Sequence, residues 1–420
     1  MREASPHQRP VVWYIAAGYL RAGGIEAYLC NYATEIRNHG FDPRIIVFEP
    51  LPDKPHRFLT ALRAEGIPIE SLYRRVGWRA KVAAWLTYVP WRMRVVWRRL
   101  LSDNPEVTLS STTQQPNNST TFSSLLIYWR KRLAVRELKR MLACEQPDII
   151  HVKGRLISEA WPVLPPELTL FHIATSGHCD ASWTPLEITA FRAFARHCAR
   201  VLAPGKLVAE TFKNEFGVTR PVDVVFTMVP DRIVSETGHT PRPLRFGILC
   251  RFSYEKGIPT ILEALQLIRV QGEEVPFLFA GEGDLEDEIS GTVQRVGLKK
   301  VRIERVVSAH MTLGEIDVFL HPSTSEAMPV SIVEALLEGI PCIATPVGGV
   351  PDLIRDGKEG FIVPVGDAVA LAKAMERFAE MPQSEYESYR QRARARYEEY
   401  CRPTVVGGHV ADIYRAIMAG

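Results

Sequence analysis

The chain has no Asp-x-Asp in its 420 residues, no Cys-x-x-Cys, and no uninterrupted apolar run of the kind a membrane-crossing helix needs, roughly 18 residues. Each absence excludes something. Without the paired aspartates, chemistry that runs without a metal ion is the simpler expectation. Seven cysteines, an odd number scattered along the chain, fit reduced thiols in a cytoplasm-like compartment better than a disulfide framework. The opening MREASPHQRP lacks the apolar core of a signal peptide. The expected location is therefore cytoplasmic, with no obvious route of export. Acidic residues are scarce in one region: residues 71–140 hold 14 Lys and Arg against Asp103, Glu106 and Glu137, although the whole chain carries only +3. That local charge predicts one face that meets an anionic surface.

The composition, 46% hydrophobic and 24% charged, is that of a soluble globular protein, and the length fits two domains rather than one core. A strand at 11–16 leads into a loop at 18–24, a helix to about His39 and a strand at 44–48. Ile25, Leu29, Tyr32 and Ile36 keep helical spacing, and Gly40 stops the helix. Strand, glycine loop, helix, strand is a Rossmann-like opening. Gly23 and Gly24 would let backbone approach a phosphate or a sugar, or form a plain tight turn. Alternation resumes with strands at 149–152, 169–174, 200–203 and 222–226. A linker is expected over 231–243, followed by a second doubly wound unit from Arg245 onward. The domains are thus set at 1–235 and 244–400, with a helix in 401–420 and an insertion at 71–142.

The insertion breaks the rhythm. From Arg74 to Arg99 there are eight basic residues, no acid, and Trp78, Trp85, Trp91 and Trp97. Tryptophan and arginine on amphipathic helices suit a membrane interface, where rings sit at the headgroups and cations meet anionic lipid. The alternative is that the apolar faces pack on the domain while the arginines are solvated. The polar stretch 102–124 reads as a flexible loop and 125–144 as a second basic amphipathic helix, which makes a helical hairpin. An anionic membrane surface met through residues 74–142 is an expected partner, and nucleic acid is not.

The stretch HPSTSEAMPVSIVEALLEGIPCIATPVGGVPDL, from His321 to Leu353, is where the chemistry is expected. A buried strand ends there, a polar turn carries Glu326, and a helix from about Pro329 to Glu338 carries Glu334. Amides at the start of that helix offer a site for phosphate oxygens. The frame of Pro-Ser, Glu-x7-Glu, Gly-x-Pro and Gly-Gly-x-Pro-Asp resembles the motif of retaining glycosyltransferases of family 4, which have the GT-B fold. The run GGIEAYLCNYATEIRNHG resembles their glycine loop, and GILCRFSYEKGIPTILEAL their phosphate-binding stretch.

The resemblance implies an α/β protein of two Rossmann-like domains facing a central cleft. It implies a sugar nucleotide as donor substrate, with no cofactor and no metal, and a saccharide or lipid-linked saccharide as acceptor. Glu326 would bind donor sugar hydroxyls near the anomeric carbon, and Glu334 the ribose diol. Arg251 and Lys256 would hold the departing diphosphate. His178, in TSGHCD after the strand from Thr169, would contact the sugar near the reacting carbon, or simply cap loop backbone. Backbone at Gly23, Gly24, Gly281, Met328, Pro329, Val330 and Ser331 would line the donor. Where the family often has Glu-Gly-Phe-Gly this chain has Glu326-Ala327-Met328-Pro329, and where it often has Asn-Gly-Val-Asp this chain has Met228-Val229-Pro230-Asp231. The departure at Ala327 to Pro329 supports one alternative, a non-catalytic scaffold that binds a sugar nucleotide or a membrane partner; among enzymes the alternative is a sugar-nucleotide epimerase of the same fold.

Overall fold

A computed structural model describes residues 9–16, 24–48, 51, 57–76, 118–175, 177, 183–232, 243–268, 270, 273–306 and 308–420. Its strands form two separate parallel sheets. The first contains β1 (Val11–Ala16), β2 (Asp42–Val47), β3 (Ile69–Ser71), β4 (Ile149–Lys153), β5 (Thr169–His172), β6 (Arg200–Ala203) and β7 (Val222–Val224), in the order β3-β2-β1-β4-β5-β6-β7. The second contains β8 (Phe246–Arg251), β9 (Phe277–Glu282), β10 (Val301–Glu304), β11 (Val318–His321), β12 (Cys342–Ala344) and β13 (Gly360–Ile362), in the order β10-β9-β8-β11-β12-β13. Every ladder within the two sheets is parallel, so each connection must cross over a sheet face. That explains why central strands such as VVWYIA and FGILCR read as apolar runs rather than alternating: helices cover both faces.

Helices α1 (Gly24–Asn38), α2 (Arg57–Ala64), α3 (Leu72–Arg75), α4 (Asn118–Glu145), α5 (Pro185–Ala195) and α6 (Lys206–Phe216) belong to the first sheet. Helices α7 (Ile258–Leu267), α8 (Glu286–Val296), α9 (Ala309–Leu313), α10 (Val330–Leu337), α11 (Val350–Leu353), α12 (Ala368–Glu380) and α13 (Gln383–Tyr400) belong to the second. Their ends follow local chemistry. Thr184 and Glu187 form a capping box at α5, and the Asp367 carboxylate accepts from the Ala370 amide at α12. Gly217 ends α6 in the left-handed region.

The last helix, α14 (Pro403–Ala419), packs on α1 of the first domain, and Gly407 makes this close approach possible. A Cβ there would stand 2.4 Å from Glu35 Cγ. The segment between the sheets is held as well. Tyr397 donates to the Val229 carbonyl at 2.9 Å, Tyr32 to that of Phe226 at 3.0 Å, and Arg232 pairs with Glu338.

Two sequence expectations change. The polar stretch read as loop to Ser124 is already helical from Asn118, because α4 begins there and runs unbroken to Glu145. A short edge strand, β3, and helix α2 were not foreseen, their segments being too brief to show a period. Residues 77–117, which hold most of the first arm of the expected basic hairpin and its four tryptophans, lie outside the described residues, as does most of the linker. Among the described residues no helix is long and apolar enough to cross a membrane.

Candidate active site

Two loops at the C-terminal edge of the second sheet build the site. One runs on from Arg251, the last residue of β8, to Gly257; the other runs on from His321, the last residue of β11, to Pro329. They touch because of Gly257, whose φ of +71° is left-handed and whose absent Cβ would stand 2.1 Å from the Pro322 carbonyl oxygen. The Thr324 amide then donates to the Glu255 carbonyl at 2.9 Å, which fixes the loops to each other.

This contact brings Lys256 Nζ to 2.6 Å from Glu326 Oε1. Ser323 Oγ donates to the same oxygen at 3.0 Å, and His321 Nε2 lies 3.0 Å from it. All three converge on Oε1, and among the described residues Oε2 makes no hydrogen bond. Burial alone would push the Glu326 carboxyl up. The His321 ring and the Lys256 ammonium outweigh that and hold it at about 2, so the acid is ionised throughout the physiological range. His321 is itself buried, and its Nδ1 has no partner among the described residues.

Sequence reasoning singled out Lys256 and Glu326 but missed His321 and Ser323. The signal was present: in an extended chain positions 321 and 323 point the same way. The remaining candidates lie around this centre at different depths. Arg251 ends β8 with its side chain 74% exposed, 3.5 Å from Glu255. Glu334 is half-buried, just over one turn into α10. Pro329 precedes α10 as its cap rather than occupying the first turn. The first amides that bond within the helix are those of Ile332 and Val333, and those of Val330 and Ser331 find no acceptor among the described residues. Met328 is buried beneath Gly349. Gly281, at φ +152°, lies so close to β8 that a Cβ would stand 1.9 Å from the Cys250 carbonyl oxygen. His178 and Gly23 fall outside the described residues, and Gly24 is the first residue of α1.

The Gly348-Gly349-Val350-Pro351-Asp352 segment joins the site to the first domain. Gly348, at φ +55°, would place a Cβ 2.3 Å from the Glu326 carbonyl oxygen, and the Gly349 amide donates to the Ala327 carbonyl at 2.7 Å. On its other side Gly349 meets Gly205, where a Cβ on Gly205 would stand 2.4 Å from the Gly349 Cα. Asp352 Oδ2 accepts from the Lys206 amide at 2.6 Å, so a carboxylate of the second domain satisfies the exposed first turn of α6 in the first. The C-terminal edges of the two sheets therefore face each other, with Glu326 and Lys256 near the seam.

Residues 231–396 match the family model described as Glycosyl transferases group 1. WcaL of Salmonella typhimurium, named as a colanic acid biosynthesis glycosyltransferase, is 28% identical over 185 residues, 42% of this chain and 46% of that protein. AmsK of Erwinia amylovora, an amylovoran biosynthesis glycosyltransferase, is 30% identical over 149 residues, 33% of this chain and 37% of its own length. The chain thus spans less than half the length of these curated relatives. Among solved structures, HepE of Anabaena in complex with UDP and glucose superposes with a TM-score of 0.66 at 16% identity, covering 97% of this chain and 100% of that one. TarM superposes with a TM-score of 0.71 at 12% identity, covering 99% and 100%. These likenesses show the fold: two Rossmann-like domains in the GT-B arrangement.

Proposed function

We propose that this protein is a retaining, metal-independent glycosyltransferase that moves a sugar from a nucleoside diphosphate to a saccharide or lipid-linked saccharide. The observation that carries the reading is the contact between Lys256 and Glu326 at the mouth of the second sheet. It sets a fixed cation and an ionised acid side by side where the two domains meet. The names of the relatives favour cell-surface polysaccharide or glycolipid assembly as the setting, and the complex of HepE with UDP and glucose favours a nucleotide sugar as the donor.

The chemistry follows from the residues. The bond between the anomeric carbon and the diphosphate oxygen breaks, and one from the acceptor oxygen forms on the same face. The acceptor hydroxyl proton passes to the departing phosphate. Charge builds on that phosphate as it leaves. Arg251, Lys256 and the amides of Val330 and Ser331 are the donors that can neutralise it. Glu326, through its Oε2, takes sugar hydroxyls near the reacting carbon, and Glu334 takes the ribose diol, since a carboxylate accepts from two adjacent hydroxyls. Closure of the domains excludes the water that would otherwise hydrolyse the donor. His178 and the Gly23-Gly24 loop complete the first-domain side of this proposal, and residues 74–142 dock it on an anionic membrane.

The test is transfer from a panel of nucleoside diphosphate sugars. Glu326→Gln and Lys256→Ala should each abolish turnover while the far-ultraviolet circular dichroism spectrum stays that of the wild type. Full turnover in either removes the assignment. Charge reversal at Arg92, Arg94, Arg98 and Arg99 should release the protein from anionic liposomes, and equal binding would refute the membrane role.

A further inference from the structure

Under helix α1 the first domain buries a polar network that the proposed chemistry does not use. Tyr28 Oη lies 2.7 Å from His151 Nε2 and 2.7 Å from His172 Nδ1. His151 Nδ1 in turn meets the Tyr414 hydroxyl, which donates to Tyr14 Oη at 3.0 Å. One neutral arrangement satisfies all of them: His172 donates to Tyr28, Tyr28 to His151, His151 to Tyr414, and Tyr414 to Tyr14. Burial pushes both histidines well below their usual range and both Tyr28 and Tyr414 well above theirs, so the network carries no charge near neutral pH.

Lys153 stands at the edge of this network. It is the last residue of β4, level with His172 at the end of β5. Its Nζ donates to the Ile173 carbonyl at 3.0 Å and lies 4.3 Å from the centre of the Tyr28 ring. It is partly exposed, and among the residues whose side chains are described no carboxylate pairs with it. Among the described residues an ammonium so placed has two donors left and no anion, a costly state for a shielded charge. The sheet edge is also the one that meets the second domain, because Gly205 and Lys206, just beyond the end of the neighbouring β6, touch Gly349 and Asp352. Ligands of open parallel sheets bind at such an edge.

We propose that Lys153 is an oxyanion site on the acceptor side of the cleft, taking a carboxylate or phosphate carried by the acceptor. The word acceptor rests on the transferase reading; the anion site does not. Two N–H donors not used by the Ile173 carbonyl match a carboxylate or phosphate edge, the face of Tyr28 fixes the ammonium from behind, and among the described residues no carboxylate pairs with it. Desolvation beside this cluster also lowers the Lys153 ammonium from its ordinary 10.5 to about 7. Anion binding should therefore weaken as pH rises through that region and the ammonium is lost.

The experiment titrates methyl glucuronide, glucose 6-phosphate and methyl glucoside into the full chain by calorimetry. The wild type should bind one or both charged probes about tenfold or more tightly than the neutral one. Which charged probe wins separates a uronate from a sugar phosphate. Lys153→Gln should lose the preference and Lys153→Arg should keep it. The wild-type affinity for methyl glucuronide, whose carboxylate stays ionised, should fall about tenfold or more between about pH 6 and about pH 9. That arm needs no variant to fold. No preference for an anion in the wild type, a preference retained in Lys153→Gln, or a flat pH profile would each overturn the proposal. A nucleoside diphosphate titration beside it is read separately: failure there counts against the transferase reading and leaves the anion site standing.

Discussion

Replacing Glu326 by Gln gives a measurable estimate of how strongly the site is held. The carboxyl lies at about 2 in the folded chain against an ordinary 4.5. At about 1.4 kcal/mol per pH unit, the ionised form is favoured in the folded state by about 3 kcal/mol. Gln resembles the protonated acid, neutral and still able to accept from Lys256, so at neutral pH Glu326→Gln should be less stable by about that amount. Because the folded-state value is depressed, the stabilisation is fully present above the unfolded-state value near 4.5 and is lost as pH falls toward 2. The gap between wild type and variant should therefore be constant from neutral pH to about 4.5 and close below it. The assay is urea unfolding across that range. All eight tryptophans lie between positions 13 and 183, so their fluorescence reports the first domain, and the second domain must be followed by circular dichroism. A gap below about 0.5 kcal/mol at neutral pH, or one that stays level down to pH 2, would refute the account of Glu326 as a carboxylate held ionised by Lys256 and His321.

Other changes act on separate parts of the site. Arg251→Ala removes a side chain that is 74% exposed, so stability should move by no more than about 0.5 kcal/mol while affinity for nucleoside diphosphates drops about tenfold. Equal affinity in a direct titration would exclude Arg251 from the phosphate site. Gly257→Ala meets both a left-handed φ and the Pro322 carbonyl, and should destabilise the second domain by about 2–4 kcal/mol in urea unfolding. A wild-type midpoint would mean the two loops part easily. Gly205→Ala forces the Gly349 loop away from the first domain, and small-angle scattering should show a larger radius of gyration than the wild type. An unchanged radius would mean that this contact does not set the domain spacing.

The second domain was the more legible half because its candidate site rests on backbone and on short-range spacing. Gly257, Gly281 and Gly348 appear in the sequence as glycines beside strand ends, and each allows a backbone approach that a Cβ would block. Lys256 and Glu326 are 70 residues apart, and only the family resemblance joined them. Nothing local in the sequence announces that β8 and β11 are neighbours. The polar network of the first domain was less legible for the same reason in stronger form. Tyr28, His151, His172 and Tyr414 come from four distant segments, and their spacing along the chain reveals nothing. His172 is buried within β5, and its bond to Tyr28 depends on α1 lying over that strand.

The Gly-Gly-x-Pro-Asp segment shows why a motif can extend beyond the residues that perform the chemistry. Gly348 lies against the Glu326 carbonyl, and the next amide bonds to Ala327. Three residues after Gly349, Asp352 bonds to the first amide of α6 in the other domain. The loop that presents Glu326 is thus tied by a short, stiff path to the opposing sheet. A rotation of the first domain that lengthens the bond between Asp352 and the Lys206 amide must move Gly349, and Gly349 cannot move without shifting the backbone of Ala327 beside Glu326. The position of the carboxylate and the spacing of the domains are then one mechanical variable rather than two. In an enzyme that must exclude water before its donor breaks, that coupling would let the acid reach its working position only when the cleft has closed.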